Sequence, residues 1–183
     1  MGRIQDGQGL NRYAKVDSYQ RLFVNSISQS TDHWANTLGN AYSIVIQQTP
    51  SAANDCFFYM KNLSAQTIII EGFGVRVPTN ERILTYLADT GTPSGGTDIT
   101  PRSLNTRSTT DAIGTFQVGN DITGLIRGRL NYRTWVAASD QTQHFNYNQD
   151  IIIPTGGVFS IVAEVGGIQI DMNLDLFYTT IEV

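Results

Sequence analysis

The sequence predicts an all-β protein, an antiparallel β-sandwich of jelly-roll type with an extended N-terminal arm. Its closing stretch alternates strictly between apolar and polar residues, as a half-buried strand does. Roughly nine or ten short β-forming segments recur at spacings of about 8–12 residues between turn signals, a pattern typical of sandwiches and barrels. No stretch has the periodicity of an amphipathic helix of about 12 residues. A length of 183 residues suits one domain.

The closing stretch, residues 167–183, gives the strongest strand signal. Apolar residues (Ile168, Ile170, Met172, Leu174, Leu176) alternate with polar ones (Gln169, Asp171, Asn173, Asp175). The pattern then changes, because Phe177, Ile181 and Val183 fall on the polar side. Either a β-bulge reverses the register here, or the outer face is covered, with a neighbouring subunit as the candidate cover.

The N-terminal residues 1–18 are polar and rich in glycine, and we interpret them as an extended docking arm, with a disordered terminus as the alternative. Residues 19–183 are then a single β-sandwich domain, whose first strand is predicted at 19–27. Residues 31–36 form a helical turn or a loop.

The remaining strands are predicted from β-branched and aromatic runs bounded by turn residues. They cover 42–48, 55–62, 67–77, 81–88, 115–118, 122–126, 129–137, 144–147, 150–153, 158–165 and 168–176. Gly156-Gly157 and Gly166-Gly167 separate the last three, and such short turns favour antiparallel neighbours. Residues 89–120 are rich in Gly, Pro, Thr and Ser and are predicted as a long loop, packed on the domain's own sheet or on a neighbour.

Composition narrows the functional classes. Charged residues make up 15% of the chain, the net charge is −4, and the pI is near 5.0, so we expect no nucleic-acid partner. Ten of the twelve basic residues are Arg, a bias found at protein interfaces and also produced by codon usage. The start lacks the apolar core of a signal peptide, and no run suits a membrane span, so we expect synthesis in the cytoplasm and no membrane partner.

Few residue patterns suggest catalysis or a cofactor. The lone Cys56 lies in an apolar run and is interpreted as a small buried hydrophobe. His33 and His144 lie far apart without metal-ligand spacing, so we expect no metal, no cofactor and no enzyme. Glu164, Asp171 and Asp175 are the only carboxylates whose spacing merits a test, either for glycoside hydrolysis or for calcium, although solvated acids on a sheet face are commoner.

An arginine stripe is the best candidate for partner binding. Arg127, Arg129 and Arg133 alternate with smaller or aromatic residues, and Trp135 continues the same side. Such a stripe could bind an acidic partner subunit or stack on a sugar, and Tyr132 and the 89–120 loop are further candidate contacts for a sugar. The alternative is an exposed strand face with Trp135 turned into the core.

Several segments of the sequence resemble segments of small virion structural proteins of tailed bacteriophages. They are GLNRYAKVDSYQRLFV at 9–24, NDCFFYMKNLS at 54–64, TPRSLNTRS at 100–108, IIPTGG at 152–157 and LFY at 176–178. Ser103 stands where that family's loop carries Asn. The resemblance implies a jelly-roll-like domain, commonly trimeric, on the outside of a head or in a fibre or tail, and no enzyme.

The resulting hypothesis is a trimeric capsid decoration or cement protein located in the virion. Its partners would be itself, as a homotrimer, and the major capsid protein or another virion protein. The alternative is a fibre or tail-tip domain that binds a receptor glycan. The candidate contact residues are Arg3, Leu10, Arg12, Tyr13, Arg127, Arg129, Arg133, Trp135, Phe177 and Ile181.

Overall fold

The computed structural model describes residues 15–16, 22–23 and 35–179, without the side chains of 15, 16, 22, 23, 148 and 149. The chain divides into two compact units, Met1–Ser30 and Thr31–Val183. In the first unit, β1 (Lys15–Val16) pairs antiparallel with β2 (Leu22–Phe23), which lies inside the strand predicted at 19–27. The predicted arm, with the candidate contacts Arg3, Leu10, Arg12 and Tyr13, otherwise lies outside the described residues.

The second unit consists of strands almost throughout its described part. Residues 35–37 form one turn of helix, at the end of the predicted helical turn. The described residues contain no helix long and apolar enough to cross a membrane. The strands are β3 (Ala41–Gln48), β4 (Asp55–Asn62), β5 (Thr67–Arg76), β6 (Glu81–Leu87), β7 (Thr90–Ser94), β8 (Thr97–Asp98), β9 (Arg102–Ser103), β10 (Gly114–Val118), β11 (Thr123–Ile126), β12 (Arg129–Val136), β13 (Gln143–Ile153), β14 (Val158–Ala163) and β15 (Ile170–Thr179).

Eight strands, β3 to β6 and β12 to β15, form a jelly-roll sandwich. One sheet has the order β12-β6-β14-β4-β10-β8 and the other β13-β5-β15-β3-β9, and we call them the β4 sheet and the β3 sheet. From β3 to β6 and again from β12 to β15, successive strands alternate between the sheets, and β15 lies between β3 and β5. This order is the double Greek key of a jelly roll, so the predicted fold class is confirmed.

The expectation that the last three strands are neighbours is wrong. β14 pairs with β4 and β6, whereas β13 and β15 belong to the opposite sheet. The glycine turns at 156–157 and 166–167 therefore carry the chain across the sandwich. Short connections can join facing sheets as well as adjacent strands, and sequence spacing does not distinguish the two cases.

The core lies between the two sheets and takes alternate residues from each strand. The β4 sheet contributes Phe58, Met60 and Phe159, all fully buried, and the β3 sheet contributes Ile44 and Leu174, exposed by 2% or less. Each such side chain stabilises the fold by about 1.5–3 kcal/mol. The alternation read in the sequence is thus the packing pattern of a two-layer sandwich.

Strand β13 corrects a second expectation. Two strands were predicted, 144–147 and 150–153, but one strand runs from Gln143 to Ile153, with its register against β5 shifting between Asn146 and Ile151. Gly72 of β5 lies at this irregularity. A Cβ atom there would lie 2.2 Å from the carbonyl oxygen of Phe145, so the close approach of the two strands requires glycine.

The region 89–120 is ordered and packs on its own domain. β8 and β10 extend the β4 sheet, β9 pairs with β3, and β7 pairs with β11 to form a separate two-stranded ribbon, the β7–β11 ribbon. Of these strands, only β10 and β11 had a clear sequence signal. The others are short and polar, and their pairing depends on the sheets beside them.

Phe177 shows how the outer face of the last strand is covered. β15 keeps an unbroken register with β3 from Ile170 to Phe177, so the alternation continues and Phe177 points outward. It is buried there in a small cluster with Ala35, Ala41 and Ile69. The cover expected from a neighbouring subunit is therefore supplied by the chain itself. Ile181 and Val183 lie outside the described residues.

We expect Phe177→Ala to lower the free energy of unfolding by about 3 kcal/mol, because it leaves a cavity beneath the helical turn at 35–37. Urea denaturation monitored by circular dichroism measures this loss. Asp175→Ala, an exposed site on the same face of β15, is the matched control and should change stability by less than about 0.5 kcal/mol. Equal effects of the two substitutions would contradict the burial of Phe177 against Ala35, Ala41 and Ile69.

Candidate interaction surface

The predicted arginine stripe is divided by a bulge. The pairing of β12 with β6 shifts between Leu130 and Tyr132, so that Arg129 pairs with Leu87 but Arg133 pairs with Leu84. Leu87 packs on the core between the sheets, whereas Leu84 belongs to a cluster on the outer face. Since paired residues share a face, Arg129 and Arg133 point to opposite sides of the β4 sheet.

Trp135 and Arg133 remain together on the outer face, where they join two further side chains. Arg82, which pairs with Trp135 across the strands, places its guanidinium 5.0 Å from the centre of the indole ring. Glu164, at the end of β14, accepts from Arg82 at 3.2 Å and from Arg133 at 2.9 Å. We call Arg82, Arg133, Trp135 and Glu164 the Trp135 patch.

The Trp135 patch is ordered by its own contacts and yet remains accessible. The indole is 51% exposed, so the interpretation that it turns into the core is wrong. The side chains of Arg82 and Arg133 are 45% and 52% exposed, and Glu164 is 23% exposed. One carboxylate holding two guanidinium groups leaves one positive charge in excess. The patch therefore offers a fixed aromatic ring beside N–H donors that still face solvent.

Tyr132 does not belong to this surface. It points to the core side of β12, where its ring packs edge-on against Tyr147 at 5.1 Å. A binding site that uses Tyr132 and Trp135 together is therefore excluded, because the two lie on opposite faces of the strand. Arg129 likewise lies on the far side, at a cleft of about 380 Å³ bounded by Leu87, Ile153 and Pro154.

Arg127 serves an internal role, although the sequence placed it in the stripe. It follows β11 and forms an ion pair of 3.1 Å with Asp89, which precedes β7. The Asp89 carboxylate is fully buried and also accepts from the Ser160 hydroxyl at 2.6 Å and from the Gly128 amide at 2.7 Å. This cluster ties the two strands of the β7–β11 ribbon to the β4 sheet at one end, where the start of β7 lies beside the end of β11.

Cys56 lies beneath the same ribbon. It is buried with Tyr59, Leu84, Ile122 and Val162 in the outer cluster of the β4 sheet. Burial raises the pKa of the thiol, so the group is neutral at pH 7. A buried neutral thiol is typical of a structural cysteine, as the sequence indicated.

The three candidate carboxylates do not share a site. Glu164 lies on the outer face of the β4 sheet, whereas Asp171 and Asp175 belong to β15 in the opposite sheet. Asp171 accepts from Arg76, Gln47 and Gln169. These donors, led by Arg76, lower the pKa of Asp171. Glu164 is thus separated from the two Asp residues, and both Glu164 and Asp171 already accept hydrogen bonds from Arg side chains, so the three do not form a carboxylate pair.

A groove crosses the outer face of the β3 sheet beside Asp171. It holds about 370 Å³ and is lined among others by Val45, Arg76, Asp140, Thr142 and Asn173. We call it the Val45 groove, since Val45 is 76% exposed and is its main apolar side chain. Asp140 lies in the connection between β12 and β13, and its carboxylate interacts electrostatically with Arg76 across the groove.

The two histidines do not contribute to a site within the described residues. His144 is exposed and lies against Gly74, while His33 lies outside the described residues. Within the described ranges, no group of three or more His, Cys, Asp or Glu side chains is arranged to hold a metal ion. Sequence reasoning missed the roles of Arg82, Asp89 and Asp140.

Comparisons with known proteins add no relative. No protein-family model, no curated protein and no solved structure matches this chain.

We expect Asp89→Ala to lower the free energy of unfolding by about 3 kcal/mol or more, because it leaves Arg127 half-buried without its carboxylate and orphans the Ser160 hydroxyl. Denaturant unfolding measures the loss, and the rate at which Cys56 reacts with a thiol reagent should rise as the ribbon loosens. Asp121→Ala, at an exposed position near the ribbon, should leave both quantities unchanged. An unaltered Cys56 reaction rate in Asp89→Ala would contradict the role of the ion pair.

The Asp171–Arg76 pair should contribute to stability only above acidic pH. The pKa of Asp171 is lowered in the folded state, so its contribution is complete above the ordinary Asp pKa of about 3.9 and is lost as pH falls through the lower folded value. Urea titrations between about pH 6 and pH 2 should show wild type and Asp171→Asn converging at low pH. Asp175→Asn, on the same strand, should parallel wild type throughout.

Proposed function

We infer that this chain is a non-enzymatic virion structural protein, a capsid decoration or cement protein that binds and stabilises the head of a tailed phage. The observation that carries this proposal is the Trp135 patch on a jelly-roll sheet. Trp and Arg dominate the energetic centres of protein interfaces. A rigid sheet also presents them at little conformational cost, because their geometry is already fixed.

The resemblance of residues 9–24, 54–64 and 100–108 to phage virion proteins supports the same proposal. In that family a polar arm precedes a β-domain. Residues 1–18 would lie on or between capsid subunits, with Arg3, Leu10, Arg12 and Tyr13 as contacts. The β-domain would associate with further copies of itself, as a homotrimer.

The proposed mechanism is the addition of buried area at capsid junctions, which opposes the pressure of packaged DNA. About 1,000 Å² per contact is enough for a specific interface. Three linked arms raise the overall affinity far above that of one arm, because the second and third binding events become intramolecular. No cofactor takes part in such a mechanism, and its place of action is the virion after synthesis in the host cytoplasm.

We expect deletion of residues 1–18 to abolish binding to capsids while the β-domain stays folded. Co-sedimentation with purified particles measures binding, and circular dichroism measures folding. The matched control replaces residues 1–18 with a Gly/Ser segment of equal length, which should also fail to bind. Retained binding by either variant would refute the docking role of the arm.

A fibre or tail-tip domain that binds a receptor glycan is the second candidate. It is favoured by the exposed indole of Trp135, whose ring lies beside Arg and Glu side chains that could hydrogen-bond sugar hydroxyls. A glycan array that gives binding in wild type and none in Trp135→Ala would support it. Cryo-EM of particles separates the two proposals, since decoration implies hundreds of copies on the head and a fibre implies a few tens at the tail.

A further inference from the structure

The Trp135 patch and the Val45 groove are complementary in charge. The patch holds Arg82 and Arg133 against one carboxylate, Glu164, and so carries one excess positive charge. The groove is lined by Asp140 and Asp171 against one guanidinium, Arg76, and so carries one excess negative charge. Arg76 is hydrogen-bonded to Asp171 and interacts with Asp140 only electrostatically, so the Asp140 oxygens are the ones that remain open to an incoming cation.

The two surfaces are also complementary in shape and polarity. Trp135 projects from the patch with half of its surface exposed, and Val45 gives the groove an exposed apolar wall. The groove volume of about 370 Å³ is large enough for an indole ring, since small-molecule sites begin at roughly 300 Å³. Arg133 lies two residues from Trp135 along β12, roughly 7 Å away, so an inserted ring would bring its guanidinium to the rim.

The location of the two surfaces rules out contact within one copy. The patch lies on the outer face of the β4 sheet and the groove on the outer face of the β3 sheet, with the core between them. Both nevertheless flank the connection between β12 and β13, which contains Asp140 and Thr142. A contact between the patch of one copy and the groove of the next is head-to-tail. Such contacts form a ring when the rotation from copy to copy adds up to a full turn.

We propose that the occupant of the Val45 groove is a second copy of this chain, whose Trp135 inserts beside Val45 while its Arg133 pairs with Asp140. This inference rests on the proposed function only for the expectation that the chain self-associates. The residues of the contact are assigned from the structure. Repeated around an axis next to the β12–β13 edge, the contact uses one patch and one groove from every copy.

Sedimentation velocity of the full chain tests the contact without any capsid. Trp135→Ala should weaken self-association at least about 30-fold, the effect of removing an interface anchor. Leu63→Ala is the matched control, because Leu63 is 55% exposed and follows β4 at the opposite end of the sandwich. Its effect should be about twofold or less. Near-ultraviolet circular dichroism and thermal unfolding establish that both variants are folded.

Charge reversal identifies the partner surface. Arg133→Glu and Asp140→Arg should each weaken self-association by about tenfold or more, and a chain carrying both should recover most of the loss, since the pair is restored in the opposite sense. Additive losses in the double variant would overturn the pairing. A wild-type chain that stays monomeric at its highest soluble concentration, or a Trp135→Ala chain that associates normally, would overturn the inference as a whole.

The two proposals fail separately. If Trp135→Ala associates normally and the chain is still found on phage heads, the assignment of the groove is wrong and the proposed function stands. If self-association follows Trp135, Arg133 and Asp140 but the chain is missing from virions, the groove assignment stands and the proposed function is wrong.

Discussion

The insertion of β15 between β3 and β5 is the constraint on which the sandwich depends. It is a central strand formed by the last described part of the chain, so the β3 sheet cannot be completed until β15 has taken its place. Ile170, Met172 and Leu174 then close one wall of the core. Pairing over such sequence separations is slow to form, because the loop entropy is lost before the contacts are gained.

The outer faces of the two sheets are covered by different segments of the chain, and the candidate surfaces lie where this cover ends. On the β4 sheet, the β7–β11 ribbon covers Cys56 and Leu84, and the buried Asp89 and Arg127 hold the ribbon in place. At the β12 edge the cover ends, and the Trp135 patch meets solvent. On the β3 sheet, Phe177 is covered at one end of β15, whereas the Val45 groove lies open towards the other.

Arginine in this domain has two distinct uses. Arg127 is committed to a fully buried carboxylate and acts on the fold, whereas Arg82 and Arg133 share a partly exposed carboxylate and keep donors available. Within β12 itself, the bulge places Arg129 on the core side of the sheet and leaves Arg133 on the outer face beside Arg82. A surface built for self-association would benefit from this arrangement, since its anchors are ordered before a partner arrives.

The sequence by itself determined the fold class and most of the strands, because alternation in runs such as Ile170 to Leu176 directly records which face is buried. It also identified Trp135 and Arg133, since exposed Trp and Arg stand out in a strand that alternates. Only the tertiary structure decided which strands pair, that Phe177 is covered by Ala35, and that Arg127 belongs to Asp89. These features depend on contacts between distant segments and on bulges such as the one in β12, which reverse the facing of side chains without leaving a periodic signal in the sequence.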